Sequence, residues 1–240
     1  MAGPAMELSP TGHVDHFARQ SLPPREQWPI LEFTLPELQY PERLNAAAEL
    51  IDGGVRRFGA ERVALRVPGG ETWTYGELQH RANQVAQVLT EDYGLRPGNR
   101  VLLRSPNHAW TVACWLGVLK AGGIVVTTMV AWQEREVRAV VEQVRPSVAL
   151  IDHRAVDGIA HVLDGVPIGV IGGDRDSLLT ACAAKSGQFT AVDTAADDVA
   201  LLGATSGTTG CRRSRCTSTA TSSPTPTRSP PTRCSSRPTM

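Results

Sequence analysis

The chain has 240 residues, 41% of them hydrophobic, and its 24 Lys+Arg cancel its 24 Asp+Glu. That balance excludes a uniformly basic nucleic-acid binder and an acidic disordered chain, and no apolar run approaches the roughly 18 residues of a membrane-spanning helix. The cancellation is uneven, because residues 211–240 hold six Arg and no acid while residues 1–210 carry a net −6.

Residues 1–45 are rich in Pro and aromatics (Phe17, Pro23, Pro24, Trp28, Phe33, Tyr40) and lack sustained periodicity. They read as an irregular extension on the domain surface. In 44–58, Leu44, Ala47, Ala48 and Ile51 follow helical spacing. Residues 62–67 alternate as a strand, and Pro68-Gly69-Gly70 turns the chain into a second short strand. Thr74-Tyr75-Gly76-Glu77 has the form of a capping box, and the helix it opens carries Leu78, Ala82, Val85, Ala86 and Leu89 on one face.

From there strands and helices alternate. Strands are predicted at 100–104, 124–128, 148–152, 168–171 and 198–202, and helices at 107–119, 134–144, 159–163 and 178–184. This is an α/β pattern: a parallel-rich sheet with helices on both faces. The predicted organisation is an extension over 1–45, a partial nucleotide-binding domain over 46–210 and a disordered tail over 211–240.

Cys114 and Cys182 lie in apolar surroundings and read as small buried hydrophobes. Cys211, Cys216 and Cys234 have no paired histidines at zinc spacing, so no metal site is predicted. The polar N-terminus lacks a signal-peptide core, which with this cysteine usage predicts a cytoplasmic protein. His108 reads as a helix-start residue rather than a substrate contact. His13, His16 and His80 are expected to face solvent, Asp197-Asp198 to form a solvated turn, and Trp110, Trp115 and Trp132 to pack.

The most informative stretch runs from Gly203 to Gly210, with Thr205-Ser206-Gly207-Thr208-Thr209-Gly210 at its centre. Glycines let consecutive amides approach one anion, and the hydroxyls add donors, so such a loop after a strand suits a polyphosphate. No Lys follows Gly210, so it is not a Walker A loop. By composition alone it reads more readily as a flexible Gly/Ser/Thr linker.

T-S-G-T-T-G resembles the phosphate-binding motif of the AMP-forming acyl-CoA synthetase superfamily. The segments 71–78 (E-T-W-T-Y-G-E-L), Asn83, 95–101 (L-R-P-G-N-R-V) and 117–123 (G-V-L-K-A-G-G) resemble further ordered blocks of that family. The N-terminal pattern around Phe17, Leu22-Pro23-Pro24, Trp28-Pro29 and 40–45 is similar to aryl-CoA ligases of the 2-aminobenzoate or benzoate type. The resemblance implies ATP, Mg²⁺ and coenzyme A, with a small-molecule carboxylate as substrate. The acid attacks the α-phosphate of ATP, and the coenzyme A thiol then displaces AMP. Thr205, Ser206, Thr208 and Thr209 would supply hydroxyls to the β- and γ-phosphates, and Gly207 and Gly210 close backbone approach. No catalytic residue is assigned, because the family's adenine loop, Mg²⁺ Glu, ribose Asp, hinge Arg and C-terminal Lys have no counterpart in the sequence.

After Gly210 the family continues with Pro-Lys and a strand, but this chain reads Cys-Arg-Arg-Ser-Arg-Cys. Of residues 211–240, 19 are Ser, Thr or Pro and none is Leu, Ile, Val or Phe. Such a segment cannot bury enough apolar surface to fold alone. A shifted reading frame accounts for it: read one base earlier, the leading T of Ser and Cys codons becomes a middle T, which encodes Phe, Leu, Ile, Met or Val. A plausible recovered text is V-P-K-V-T-V-H-F-H-R-D-I-L-A-N-A-D-T-F. This reading makes the polypeptide an inactive fragment, which a separately made C-terminal half would complement. The alternative is a non-enzymatic regulatory or anion-binding module using its basic tail. Nucleic acid is the less favoured partner, and no membrane is expected.

Overall fold

Runs of Val, Ile and Leu set between glycine or proline breaks become strands. The computed structural model describes residues 8–29, 33–204 and 214–218. An antiparallel hairpin of β1 (Val63–Arg66) and β2 (Thr72–Thr74) stands apart from the main sheet. That sheet contains β3 (Arg100–Arg104), β4 (Ile124–Thr127), β5 (Val148–Asp152), β6 (Ile168–Ile171), β7 (Val199–Ala204) and β8 (Ser214–Ser218), in the order β6-β5-β3-β4-β7-β8. The pairings from β6 through β7 are parallel and β8 runs antiparallel to β7.

Period-two alternation sends neighbouring side chains into two different cores. Val101 and Leu103 enter one and Leu102 the other; Val148 and Leu150 separate from Ala149 and Ile151 in the same way. The first core is covered by α3 (Tyr75–Gln87), α4 (Ala109–Lys120) and α6 (Leu178–Ala183), and the second by α5 (Glu134–Val144) through Val137, Val140 and Val144. The short α1 (Phe17–Gln20) and α2 (Gly53–Phe58) precede them in the chain. Both faces are therefore buried, as the continuous apolar runs require.

The capping box forms as predicted: the Glu77 amide donates to Thr74 Oγ1 at 3.2 Å, and Glu77 Oε2 accepts from the Thr74 amide at 2.9 Å. Helices α3 and α4 approach so closely that a Cβ at Gly117 would lie 2.7 Å from Val85 Cβ. One turn later, buried Lys120 places Nζ 2.6 Å from both Asp52 Oδ1 and Asn83 Oδ1, joining three helical segments through one cation.

Several expectations are corrected. The helix predicted over 44–58 is interrupted by a π turn at Ala48–Asp52, and Asn45 Oδ1 caps its start by accepting from the Ala47 and Ala48 amides. The helix predicted from 107 begins at Ala109, because His108 supplies the cap. Residues 159–163 form only a 3₁₀ turn at Ala160–Leu163. Asp198 is not in a solvated turn. It is buried, accepts from the Gly12 and Ala195 amides at 2.9 Å, and pairs with Arg19 at 3.4 Å. Its partners come from the N-terminal segment, whose distance in sequence hid them. His13 is likewise buried, carried inward by that segment. Ser214–Ser218, inside the stretch expected to lack order, is a strand: the outer edge of β7 offers unpaired amides and carbonyls that any extended backbone can satisfy.

Candidate functional site

In a parallel sheet, ligands gather at the carboxyl ends of the strands, where the loops and helix starts converge. β7 ends there at Ala204, one residue before Thr205. The predicted phosphate-binding residues Thr205, Ser206, Gly207, Thr208, Thr209 and Gly210 lie outside the described residues. Their point of departure is described: Gly203 and Ala204 form part of the wall of a cavity of about 780 Å³ at this edge. Leu103 and Ser105 around the end of β3, Thr127 and Thr128 around the end of β4, and Thr111, Val112 and Trp115 from α4 complete much of its floor. Met129 and Trp132 from the loop after β4, with Leu50, Leu65 and Tyr75, form the remaining walls. None of its lining residues among the described ones is Asp, Glu, Lys, Arg or His.

Two buried polar groups near this edge are incompletely satisfied. The Thr128 hydroxyl makes no hydrogen bond among the described residues, and neither does Arg104 Nε. The remainder of the Arg104 guanidinium donates to three carbonyls of the loop after β4: Met129, Val130 at 2.8 Å and Trp132 at 2.8 Å. Burial lowers the Arg104 pKa, and no carboxylate pairs with it among the described residues. A cation held only by carbonyls fixes the loop that carries Met129 and Trp132 over the cavity.

Ser105, His108 and Asp152 also meet at this edge, in an arrangement that superficially suggests an activated serine. His108 Nε2 lies 2.9 Å from Ser105 Oγ and 3.5 Å from Asp152 Oδ2. The proton inventory decides otherwise. The Thr111 hydroxyl donates to the Pro106 carbonyl at 2.6 Å and stands 2.9 Å from Ser105 Oγ. His108 Nδ1 accepts from the Thr111 amide at 3.3 Å, leaving the ring proton on Nε2, which donates to Ser105. A nucleophilic serine needs the opposite polarity, with histidine as acceptor. The trio is a helix cap, in agreement with the helix-start reading of His108. Asp152 is buried at the end of β5; burial alone would raise its pKa, but hydrogen bonds from the Arg154 side chain and amide bring it below the usual carboxylate value.

The opposite edge of the sheet is closed by the N-terminal segment. Asp15 pairs with Arg100 and accepts from Asn99 at 2.9 Å, while Arg100 sits 4.6 Å from the centre of the Phe17 ring. The carboxylates at 197 and 198 therefore serve this strap, at the far end of β7 from the loop. Among the described residues, no group of three or more His, Cys, Asp or Glu is arranged to hold a metal ion. Cys114 and Cys182 are buried free thiols; burial raises both, and Cys182 is pushed up to about 12. Trp110, Trp115 and Trp132 are partly buried and pack against the cores, as expected. Sequence reasoning missed Arg104, Ser105 and Thr128 as edge residues. Their positions immediately around the strand ends were the available signal.

Comparisons with known proteins agree with this geometry. A protein-family profile described as an AMP-binding enzyme matches residues 52–212. Benzoate–CoA ligase of Thauera aromatica is 29% identical over 182 residues, covering 74% of this chain and 34% of that protein. A medium/long-chain-fatty-acid–CoA/3-oxocholest-4-en-26-oate–CoA ligase of Mycolicibacterium smegmatis is 36% identical over 108 residues, 45% of this chain and 19% of the relative. Among solved structures, ATP-bound MatB from Rhodopseudomonas palustris matches with a TM-score of 0.67 and 30% identity, over 73% of this chain and 35% of its own. The chain thus spans about a third or less of the length of these relatives.

Proposed function

Because the chain belongs to the AMP-binding enzyme family, we propose that it contributes the phosphate-clasping part of an AMP-forming acyl-CoA ligase. The substrates are ATP, coenzyme A and an aromatic carboxylate, joined through an acyl-adenylate with release of pyrophosphate. The observation that supports this reading is that β7 ends at Ala204 on the carboxyl edge of the sheet, where Gly203 and Ala204 line the cavity. Amides at Gly207 and Gly210 and hydroxyls at Thr205, Ser206, Thr208 and Thr209 would offset the β- and γ-phosphate charge, a positioning and electrostatic role. No described residue is assigned to Mg²⁺. The aromatic acid is supported by the N-terminal resemblance and by the benzoate-activating relative. A cytoplasmic location is supported by the buried free thiols. No helix among the described residues is long and apolar enough to cross a membrane. The test is thermal stabilisation by ATP: a rise in Tm abolished by Gly207→Val supports the clasp, and no response to millimolar ATP removes it.

The reading extends to residues 211–240, which we take as translated in a shifted frame. The recovered text places V-T-V-H-F, an alternating strand sequence, at positions 214–218, where β8 pairs with β7. On this reading the polypeptide alone forms no acyl-adenylate, and a separately made C-terminal half would be needed to restore activity. Burst release of pyrophosphate from ATP and benzoate by the purified chain would overturn the inactivity. An uninterrupted alternative frame downstream of codon 210 is the expected result of sequencing the gene.

A further inference from the structure

The outer edge of β7 has a neighbour that does not match it. β8 pairs antiparallel there, with Ser214 opposite Ala204, Cys216 opposite Leu202 and Ser218 opposite Val199. Val199, Leu202 and Ala204 all pack with the second core, whereas Ala200 and Leu201 join the first. The register shift between Val199 and Leu201 accounts for two successive residues leaving the alternation. An antiparallel strand in this register therefore presents its first, third and fifth residues to the second core. The sequence supplies Ser, Cys and Ser at those positions, and β8 contains no Val, Ile, Leu or aromatic residue. Its backbone satisfies the edge, but its composition adds little apolar area to the core. The same place is where the family match stops: the profile ends at residue 212, β8 begins at Ser214, and the chain spans about a third of its relatives' length. Beyond the strand, Leu50 and Met129 on the rim of the cavity that Ala204 lines are more than half exposed, so uncovered apolar surface continues past the edge.

We infer that the outer edge of β7 is a strand-addition site for a second polypeptide, with β8 an exchangeable place-holder. The occupant is an extended antiparallel segment whose alternate residues are apolar and stand opposite Ala204, Leu202 and Val199. The shifted-frame text V-T-V-H-F has this alternation, with its two Val and its Phe at positions 214, 216 and 218. The partner is a polypeptide carrying the remainder of the ligase fold, so its identity rests on the ligase reading; the edge itself does not. Backbone hydrogen bonds are alike for β8 and for an incoming strand, and the three alternate side chains decide the exchange. β8 has the advantage of its tether through residues 205–213, so an incoming strand binds with its affinity reduced by the fraction of molecules whose edge is vacant.

The experiment uses the full chain and a dye-labelled peptide, K-V-T-V-H-F-H-R, read by fluorescence anisotropy, with K-S-T-S-H-S-H-R as control. The apolar peptide is expected to bind at least about tenfold tighter than the control, from three side chains brought onto the core. Arg215→Pro combined with Cys216→Pro removes two adjacent amides, one of which faces β7 in any antiparallel pairing. That variant should bind the apolar peptide about three- to tenfold tighter, with circular dichroism otherwise unchanged. Ser214→Val combined with Cys216→Val and Ser218→Phe gives the tethered strand the same side chains, and should weaken the peptide at least about tenfold while raising Tm. Equal binding of the two peptides, or an affinity that neither variant alters, overturns the assignment. So does sedimentation of the native chain as a dimer that the peptide leaves intact, which would give the edge to a second copy. A rise in Tm with ATP and no peptide binding sinks this inference alone; peptide binding with no response to ATP sustains the edge and sinks the ligase reading.

Discussion

His108 and Ser105 share a proton that belongs to the histidine: Nε2 donates to the serine oxygen across 2.9 Å, while Nδ1 receives the Thr111 amide at 3.3 Å. The pair therefore stabilises the first turn of α4 and does not prepare a nucleophile. A fluorophosphonate probe is expected to leave Ser105 unlabelled. His108→Ala should destabilise the fold by about 1 kcal/mol in urea, and His108→Asn, which keeps a capping oxygen, should recover most of it. Labelling of Ser105 that disappears in His108→Ala would contradict the proton assignment.

Arg104 fixes the loop after β4 through three carbonyls. Arg104→Met should cost about 2–3 kcal/mol, since buried carbonyls lose charge-assisted partners. Hydrogen exchange should speed up at the Trp132 amide, which donates to Met129 within the loop. Arg104→Lys should recover less than half, because an ammonium lacks the planar fork. Unchanged exchange in Arg104→Met would show that the loop is held by something else.

At Gly117 the constraint is steric. An added methyl would stand 2.7 Å from Val85 Cβ and 2.8 Å from the Ala82 carbonyl oxygen. Gly117→Ala is expected to destabilise by about 1–3 kcal/mol through overpacking. Combined with Val85→Ala, the loss should be smaller than the sum of the single effects, giving a coupling that a double-mutant cycle reads from urea midpoints.

The strap over the amino edge introduces a pH dependence. Burial lowers the pKa of His13 from its ordinary 6.5; Asp198 and Asp15 oppose the shift, while Arg19 and His16 add to it. The unfolded chain thus binds the proton more readily, so this contribution is complete above pH 6.5 and is lost as pH falls from there toward the folded-state value. Asp15 acts in a lower window. Burial works against it, but hydrogen bonds from the Phe17 amide and Arg100 leave its pKa below 3.8, so its stabilisation persists until strong acid. Tm should fall between pH 7 and 5.5, and His13→Gln should flatten that slope. An equal slope in the variant would assign the titration elsewhere.

Much of the fold was legible because its signals are local. Thr74 and Glu77 are three residues apart and meet as the pattern implies, and the Val, Ile and Leu runs become the parallel strands. Contacts that bridge distant segments were not legible. Asn83 and Lys120 each stood in a family-like block, yet nothing in their spacing showed that they touch, or that Asp52 joins them. Asp198 looked like a surface acid because its partners, Thr11, Gly12 and Arg19, lie nearly the whole chain away. At the site, the phosphate-clasping residues came from a motif, whereas Arg104 and Thr128 became visible only once the strand ends were aligned.

The clasp between the N-terminal segment and Asp198 also bears on how the molecule is made. β7 lies beside β4, inside the sheet, and the residue just ahead of it is the anchor for Thr11 and Gly12. A chain emerging from the ribosome can fasten Asp15 to Asn99 and Arg100 early, but Thr11 and Gly12 stay unanchored until Asp198 has followed, and one side of β4 stays open meanwhile. Closure of the sheet is a late event in synthesis, and the nascent chain is most vulnerable to aggregation and to chaperone capture just before Asp198 arrives.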